Sequence, residues 1–218
     1  MTKDHVLARQ FFPREENYLL GPRMPIVPGC RKCNSEKQRL EDFTGTFFQF
    51  FDGGEASRKV LEGRVPRTLA KNLKLKRILQ EALKDIWLLS PSGIYEKRLA
   101  FEINDECTYV INSWYKMMTQ GLFFYEKNVI LPISHSLYVI KPGNMVQFCA
   151  LSDLIRSSKE SVEKSFASGE FRYSFSQNTE ENLTLWMFTI KSIEMFVVTA
   201  DQNTPASLIE KLREVDYR

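Results

Sequence analysis

The spacing of apolar residues changes its period along this chain, and that change restricts the fold more than any other feature. Between residues 69 and 118 apolar side chains recur three or four positions apart: Leu69, Leu73, Ile78 or Leu79, Leu83 and Trp87, then Val110, Ile111, Trp114 and Met118. That is the period of helices with one buried face. Further on the period drops to two, at Phe171, Tyr173 and Phe175 and again at Leu183, Leu185, Met187 and Thr189. Such alternation belongs to strands. Helical and strand blocks that follow one another predict the α+β class.

The punctuation supplies expected boundaries. Residues 6–29 carry Pro13, Gly21, Pro22, Pro25, Pro28 and Gly29 and read as irregular or short β structure. Residues 33 to about 43 have helix-forming composition, and Asp52-Gly53-Gly54 reads as a turn. A helix is expected over 66–89, with Trp87 inward, and another over 104–119, with Gly121 near its end. Residues 129–140 and 145–150 read as strands and 151–167 as an amphipathic helix. Thr204-Pro205 opens a last helix to about Val215. The expected organisation is a small module at 1–52 and a body of mixed helices and antiparallel sheet at 53–218.

Charge and cysteine usage narrow the setting. The net charge of +3 permits a nucleic-acid partner without demanding one. Its distribution says more: residues 58–84 hold nine Lys and Arg (58, 59, 64, 67, 71, 74, 76, 77, 84) against Glu62 and Glu81. That stretch is either a solvated face or a phosphate-binding one. No apolar run approaches the ~20 residues that cross a bilayer, so no membrane partner is expected. The polar N-terminus does not resemble a signal peptide, and four cysteines do not form a secreted disulfide framework, so a cytoplasmic location is expected. Cys107 and Cys149 read as small core residues, His135 as a surface or structural residue within a strand, and Phe47, Phe48, Phe50 and Phe51 as core or interface.

The first 45 residues carry the chemistry. Asp4 and the side-chain carbonyl of Asn34 are hard oxygen donors of the kind a Mg²⁺-like ion takes. They would leave open positions for water and a phosphate oxygen. His5 follows Asp4 and can accept a proton near neutral pH. His5 and Asn34 lie 29 positions apart, room for a hairpin and the start of a helix. Cys30-Arg31-Lys32-Cys33 has metal-knuckle spacing.

The runs Asp4-His5-Val6-Leu7-Ala8-Arg9-Gln10-Phe11-Phe12-Pro13 and Ile26-Val27-Pro28-Gly29-Cys30-Arg31-Lys32-Cys33-Asn34, followed by Lys37 and Glu41, resemble a family of bacterial HNH endonucleases. The stretch 65–72, residues 169–173 with Gln177, and Trp186-Met187-Phe188 resemble that family's less characterised C-terminal body. The resemblance implies a ββα-metal fold with Asp4 and Asn34 as metal ligands, His5 as general base, and Cys30 and Cys33 as half of a zinc knuckle. Two departures stand out. The family carries another CxxC shortly before its Asp-His, where this sequence has Met1 to Lys3. Its middle asparagine, which orients the histidine, is matched by Arg23, with Asn17 the nearest asparagine upstream.

The implied function is metal-dependent hydrolysis of nucleic-acid phosphodiesters, with DNA as the expected substrate and Mg²⁺ or another divalent ion as cofactor. Arg9, Lys71, Lys74 and Arg77 are the candidates to hold phosphate. Zinc is not expected, because two thiolates do not close a tetrahedral site. The rival expectation is a catalytically degenerate ββα module that binds nucleic acid or protein. A protein partner or a homo-oligomer is compatible with either.

Overall fold

Pro28 has no amide hydrogen to donate, so a strand containing it belongs at the edge of a sheet. The computed structural model, which describes residues 2–12, 23–52, 54–178 and 182–213, places it in a two-stranded hairpin. Strand β1 (Thr2–His5) pairs antiparallel with β2 (Ile26–Gly29), with Asp4 opposite Val27 and His5 opposite Ile26. Helix α1 (Arg31–Phe51) starts one residue later. It runs past the expected end near residue 43 because Phe43, Phe47 and Phe48 keep the helical period and are all buried. Asn17, Pro13, Gly21, Pro22, Gly53 and Val215 lie outside the described residues.

The basic stretch does not form one helix. It divides into α2 (Glu55–Gly63), α3 (Val65–Lys71) and α4 (Leu73–Ala82), and the chain then turns extended as β3 (Leu83–Leu89), paired antiparallel with β4 (Tyr95–Phe101). Asn72 makes the break: its side chain accepts a hydrogen bond from Leu75 N at 3.0 Å and caps α4. The second break follows from the turn at Ser90 to Gly93, where Ser90 N donates to Ile94 O at 2.8 Å and Gly93 takes φ +80°. Trp87, expected inward, is exposed on this hairpin. Its helical spacing to Leu83 is fortuitous.

Helix α5 (Asp105–Lys127) is capped by Asn104, which accepts from Cys107 N at 2.9 Å, and ends at Asn128 in a left-handed conformation. It therefore continues through Gly121. A Cβ at Gly121 would lie 3.2 Å from the Val6 side chain, so glycine here lets the hairpin segment approach the helix. Residues 145–150, expected as a strand, instead open α6 (Met145–Ser157), because Asn144 caps that turn by accepting from Gln147 N at 2.8 Å. The expected helix over 151–167 accordingly ends at Ser157. Within 129–140 only β5 (Ser136–Ile140) is a strand, and His135 lies just before it. Helix α7 (Ala206–Arg213) follows Pro205.

The C-terminal half builds one antiparallel sheet from β5, β6 (Val162–Phe166), β7 (Phe171–Asn178), β8 (Leu183–Ile190) and β9 (Ile193–Ala200), in the order β5-β9-β8-β7-β6. This establishes the α+β class. Both faces of the sheet are covered. Phe171, Tyr173, Phe175, Trp186 and Phe188 join Trp114, Tyr115, Met118 and Leu122 of α5 in one core. Leu183, Leu185, Phe196 and Val198 face Leu151 and Ile155 of α6 and Ile209 and Leu212 of α7. The first core also takes in Val6, Leu7, Phe11, Phe12 and Val27, so the hairpin and the body share one apolar interior. The Phe11 ring stacks on Trp114 at a centroid distance of 5.1 Å. Cys107 is buried as expected, but Cys149 is exposed on α6. Phe50 and Phe51 are partly exposed around Phe101. Among the described residues no helix is long and apolar enough to cross a membrane.

Candidate active site

Strand residues two apart share a face, and helix residues three, four and seven apart share a stripe. Those two periods bring Thr2 and Asp4 of β1 against Asn34, Lys37 and Glu41 of α1. Thr2 Oγ1 donates to Gly29 O at 3.0 Å, and Asn34 Nδ2 lies 3.5 Å from Thr2 Oγ1. Deeper in the seam, Lys37 Nζ is 3.2 Å from each oxygen of Asp4 and 2.8 Å from Glu41 Oε1, and it also donates to the backbone carbonyl of His5. Lys37 is 4% exposed and Glu41 6%. Glu41 Oε1 lies outside hydrogen-bonding geometry, so its contact with the ammonium is charge against charge. Burial raises the Glu41 pKa above its ordinary value, against the pull of Lys37.

His5 is half-buried on the neighbouring position of β1. Its Nδ1 is buried with no hydrogen-bond partner. Desolvation, with the nearby charges of Arg9 and Lys37, holds its pKa below the ordinary 6.5, and the Asp4 carboxylate only partly offsets them. The imidazole is therefore neutral at pH 7. Arg9 sits exposed in a single 3₁₀ turn (Arg9–Phe11). Arg23, expected from the resemblance to stand where an orienting asparagine would be, is exposed just ahead of β2. Nδ1 is thus positioned by packing, without a hydrogen bond.

Cys30 is the N-cap of α1, its sulfur accepting from Cys33 N at 3.1 Å, and the two sulfurs lie 2.7 Å apart. Their mutual hydrogen bond lowers the Cys30 pKa and raises that of Cys33.

The donors suit a hard dication in kind: a carboxylate from Asp4, an amide oxygen from Asn34, and Gly29 beside them, where a Cβ would sit 3.5 Å from Asp4 Cβ. Among the described residues no three His, Cys, Asp or Glu side chains could hold a metal together, so such an ion would complete its shell with water and phosphate. The competitor is Lys37. An ion at Asp4 fits only when the flexible Lys37 stem carries its ammonium aside.

Lys37 and Glu41 are the residues to which sequence reasoning gave no role. The 34, 37, 41 spacing marks one helix face, but nothing in it names Asp4 as the partner 33 positions away.

On α4, Lys74 and Arg77 are exposed opposite buried Leu75, Ile78 and Leu79, and Lys71 is exposed at the end of α3. Their ion pairs, Lys74–Glu106 at 3.8 Å and Arg77–Glu81 at 3.7 Å, are long and solvated, so little holds these cations from a phosphate. Arg64, by contrast, turns to Gln10 Oε1 at 2.8 Å. Comparison with protein-family models, with curated proteins and with solved structures finds no match for this chain.

Proposed function

We propose that this chain hydrolyses phosphodiester bonds of nucleic acid, DNA in the first instance, at the seam between β1 and α1, in the cytoplasm. The observation that supports it is the ββα order in space: the β1–β2 hairpin lies on the first turns of α1, where Asn34 reaches Thr2 and Lys37 reaches Asp4, with a neutral His5 next to Asp4. Asp4 and Asn34 would hold a divalent ion, which supplies charge stabilisation at the scissile phosphate. His5 takes the proton of the attacking water through Nε2, since Nδ1 is buried. Lys37, which holds both Asp4 and Glu41, would have to release Asp4 for Asp4 to hold an ion, and could stay tied to Glu41. Arg9 and the exposed cations of α3 and α4 hold the backbone on either side.

The test is Mn²⁺-dependent nicking of plasmid DNA by the pure chain, with calorimetric titration of the ion. Asp4→Ala should abolish both, and Asn34→Ala should weaken both less, because it removes an oxygen without removing a charge. The buried Lys37 favours a second reading, in which the lysine permanently takes the cation's place and the module binds nucleic acid without cutting it. In that case the wild-type chain takes up no ion and does not nick, whereas Lys37→Met gains an Asp4-dependent ion site.

Both readings require the protein to grip the phosphate backbone. Reversing Lys74 and Arg77 together to Glu should weaken DNA binding alike for unrelated sequences. It should also lower the log–log salt slope by about 2, at roughly 0.9 for each phosphate that is no longer neutralised. An unchanged slope, read by fluorescence anisotropy from low to moderate salt, would make α4 a solvated face only.

A further inference from the structure

The two cysteines ahead of Asn34 stand apart from the chemistry above. Both are exposed, and their sulfurs lie 2.7 Å apart at the first turn of α1. A disulfide needs about 2.05 Å, so bond formation requires only sub-ångström closure of the two sulfurs. The hydrogen bond from Cys33 N fixes the Cys30 sulfur on the Cys33 side of the turn. No third ligand converges on the pair among the described residues, so a closed zinc site is not built around it.

We propose that Cys30 and Cys33 form a redox-active dithiol that exchanges with low-molecular-weight disulfides. This is independent of whether the seam cuts DNA. The Cys30 thiolate attacks one sulfur of the small disulfide, forming a mixed disulfide and releasing one small thiolate. Cys33 then loses its proton and attacks Cys30 Sγ, closing the Cys30–Cys33 bond and releasing the second thiolate. One small disulfide is thereby reduced to two thiols by the two electrons that leave the protein dithiol, and the protons from Cys30 and Cys33 end on the released thiols. In a reducing compartment such a pair is reduced at rest and oxidised transiently, which suits a sensor or a catalyst better than a staple.

The chain carries its own reference. Cys149 is exposed on α6 with no thiol beside it among the described residues, so the same disulfide can only cap it. The full chain is equilibrated with mixtures of reduced and oxidised glutathione, quenched in acid, alkylated and weighed by peptide mass spectrometry. The expected result is loss of both Cys30 and Cys33 thiols together, with the mass of two hydrogens gone and no adduct. This should occur at an oxidised-glutathione concentration at least about tenfold below that which caps Cys149, because the second step is intramolecular. Cys33→Ser should instead trap one glutathione on Cys30. Separate adducts on Cys30 and Cys33, or thiols that stay free where Cys149 is already capped, would overturn the proposal. So would stoichiometric zinc by elemental analysis that disappears in Cys30→Ser. Cys30 and Cys33 are both exposed, so neither Cys30→Ser nor Cys33→Ser puts the fold at stake.

Discussion

Lys37→Met should cost about 3–5 kcal/mol of stability, the range for removing one partner from a buried charge network. The methionine fills most of the lysine's volume, so the loss reports charge and not a cavity. What it strands is specific. Asp4 is left without its ammonium, Glu41 without the cation beside it, and the His5 carbonyl without a donor. Glu41 already has a raised pKa from burial, and without Lys37 its carboxyl is pushed higher still. The sign of the pH dependence follows. A carboxyl whose folded pKa exceeds its unfolded one stabilises fully below the unfolded value and loses that contribution as pH rises through the folded value. The variant should therefore be closer to wild type near pH 4.5 than at pH 8, and adding Glu41→Gln should recover stability at pH 8. Urea denaturation at the two pH values reads this. A loss under about 1 kcal/mol at pH 8 would mean the ammonium does not hold the seam together.

His5→Ala should lower the rate of DNA cleavage by about 10²–10⁴-fold, the usual worth of a positioned general base, with binding and folding nearly intact. The imidazole is half-buried and Nδ1 makes no hydrogen bond, so truncation breaks no polar contact on that side. The pH profile gives a second handle. A base must be neutral to act, and the His5 pKa is held below 6.5 by burial and by the Arg9 and Lys37 charges. Cleavage should therefore persist to lower pH than free imidazole would allow, falling as pH drops through the depressed value. Folding stability carries the same signature. A histidine with a depressed folded pKa contributes stability above about 6.5 that is lost as pH falls through the folded value. His5→Gln should flatten the acid side of a plot of Tm against pH. Undiminished cleavage by pure His5→Ala protein would remove the histidine from the mechanism, whereas the Tm effect stands on burial alone.

Parts of this were legible in the sequence. The two-residue period at 171–175 and 183–189 marked β7 and β8, because alternation on a strand survives whatever packs against it. The CxxC-Asn run marked the start of α1, whose Asn34 and Lys37 reach Thr2 and Asp4 of β1. Apolar spacing failed where runs were short. Residues 83–89 and 145–150 fit either period, and the choice lay in Asn72, Asn144 and the Ser90–Gly93 turn, which cap or fold back locally.

What the chain alone determined is therefore the alternation, the caps and the residue types brought to the seam. What only the tertiary structure decided is the electrostatic state of that seam. Lysine on a helix reads as solvated until something covers it, and Lys37 is covered by a strand 33 positions away. Glu41, half of an ordinary i, i+4 pair in sequence, becomes a buried carboxylate for the same reason. Desolvation is a property of what surrounds a group in space, so no local pattern carries it.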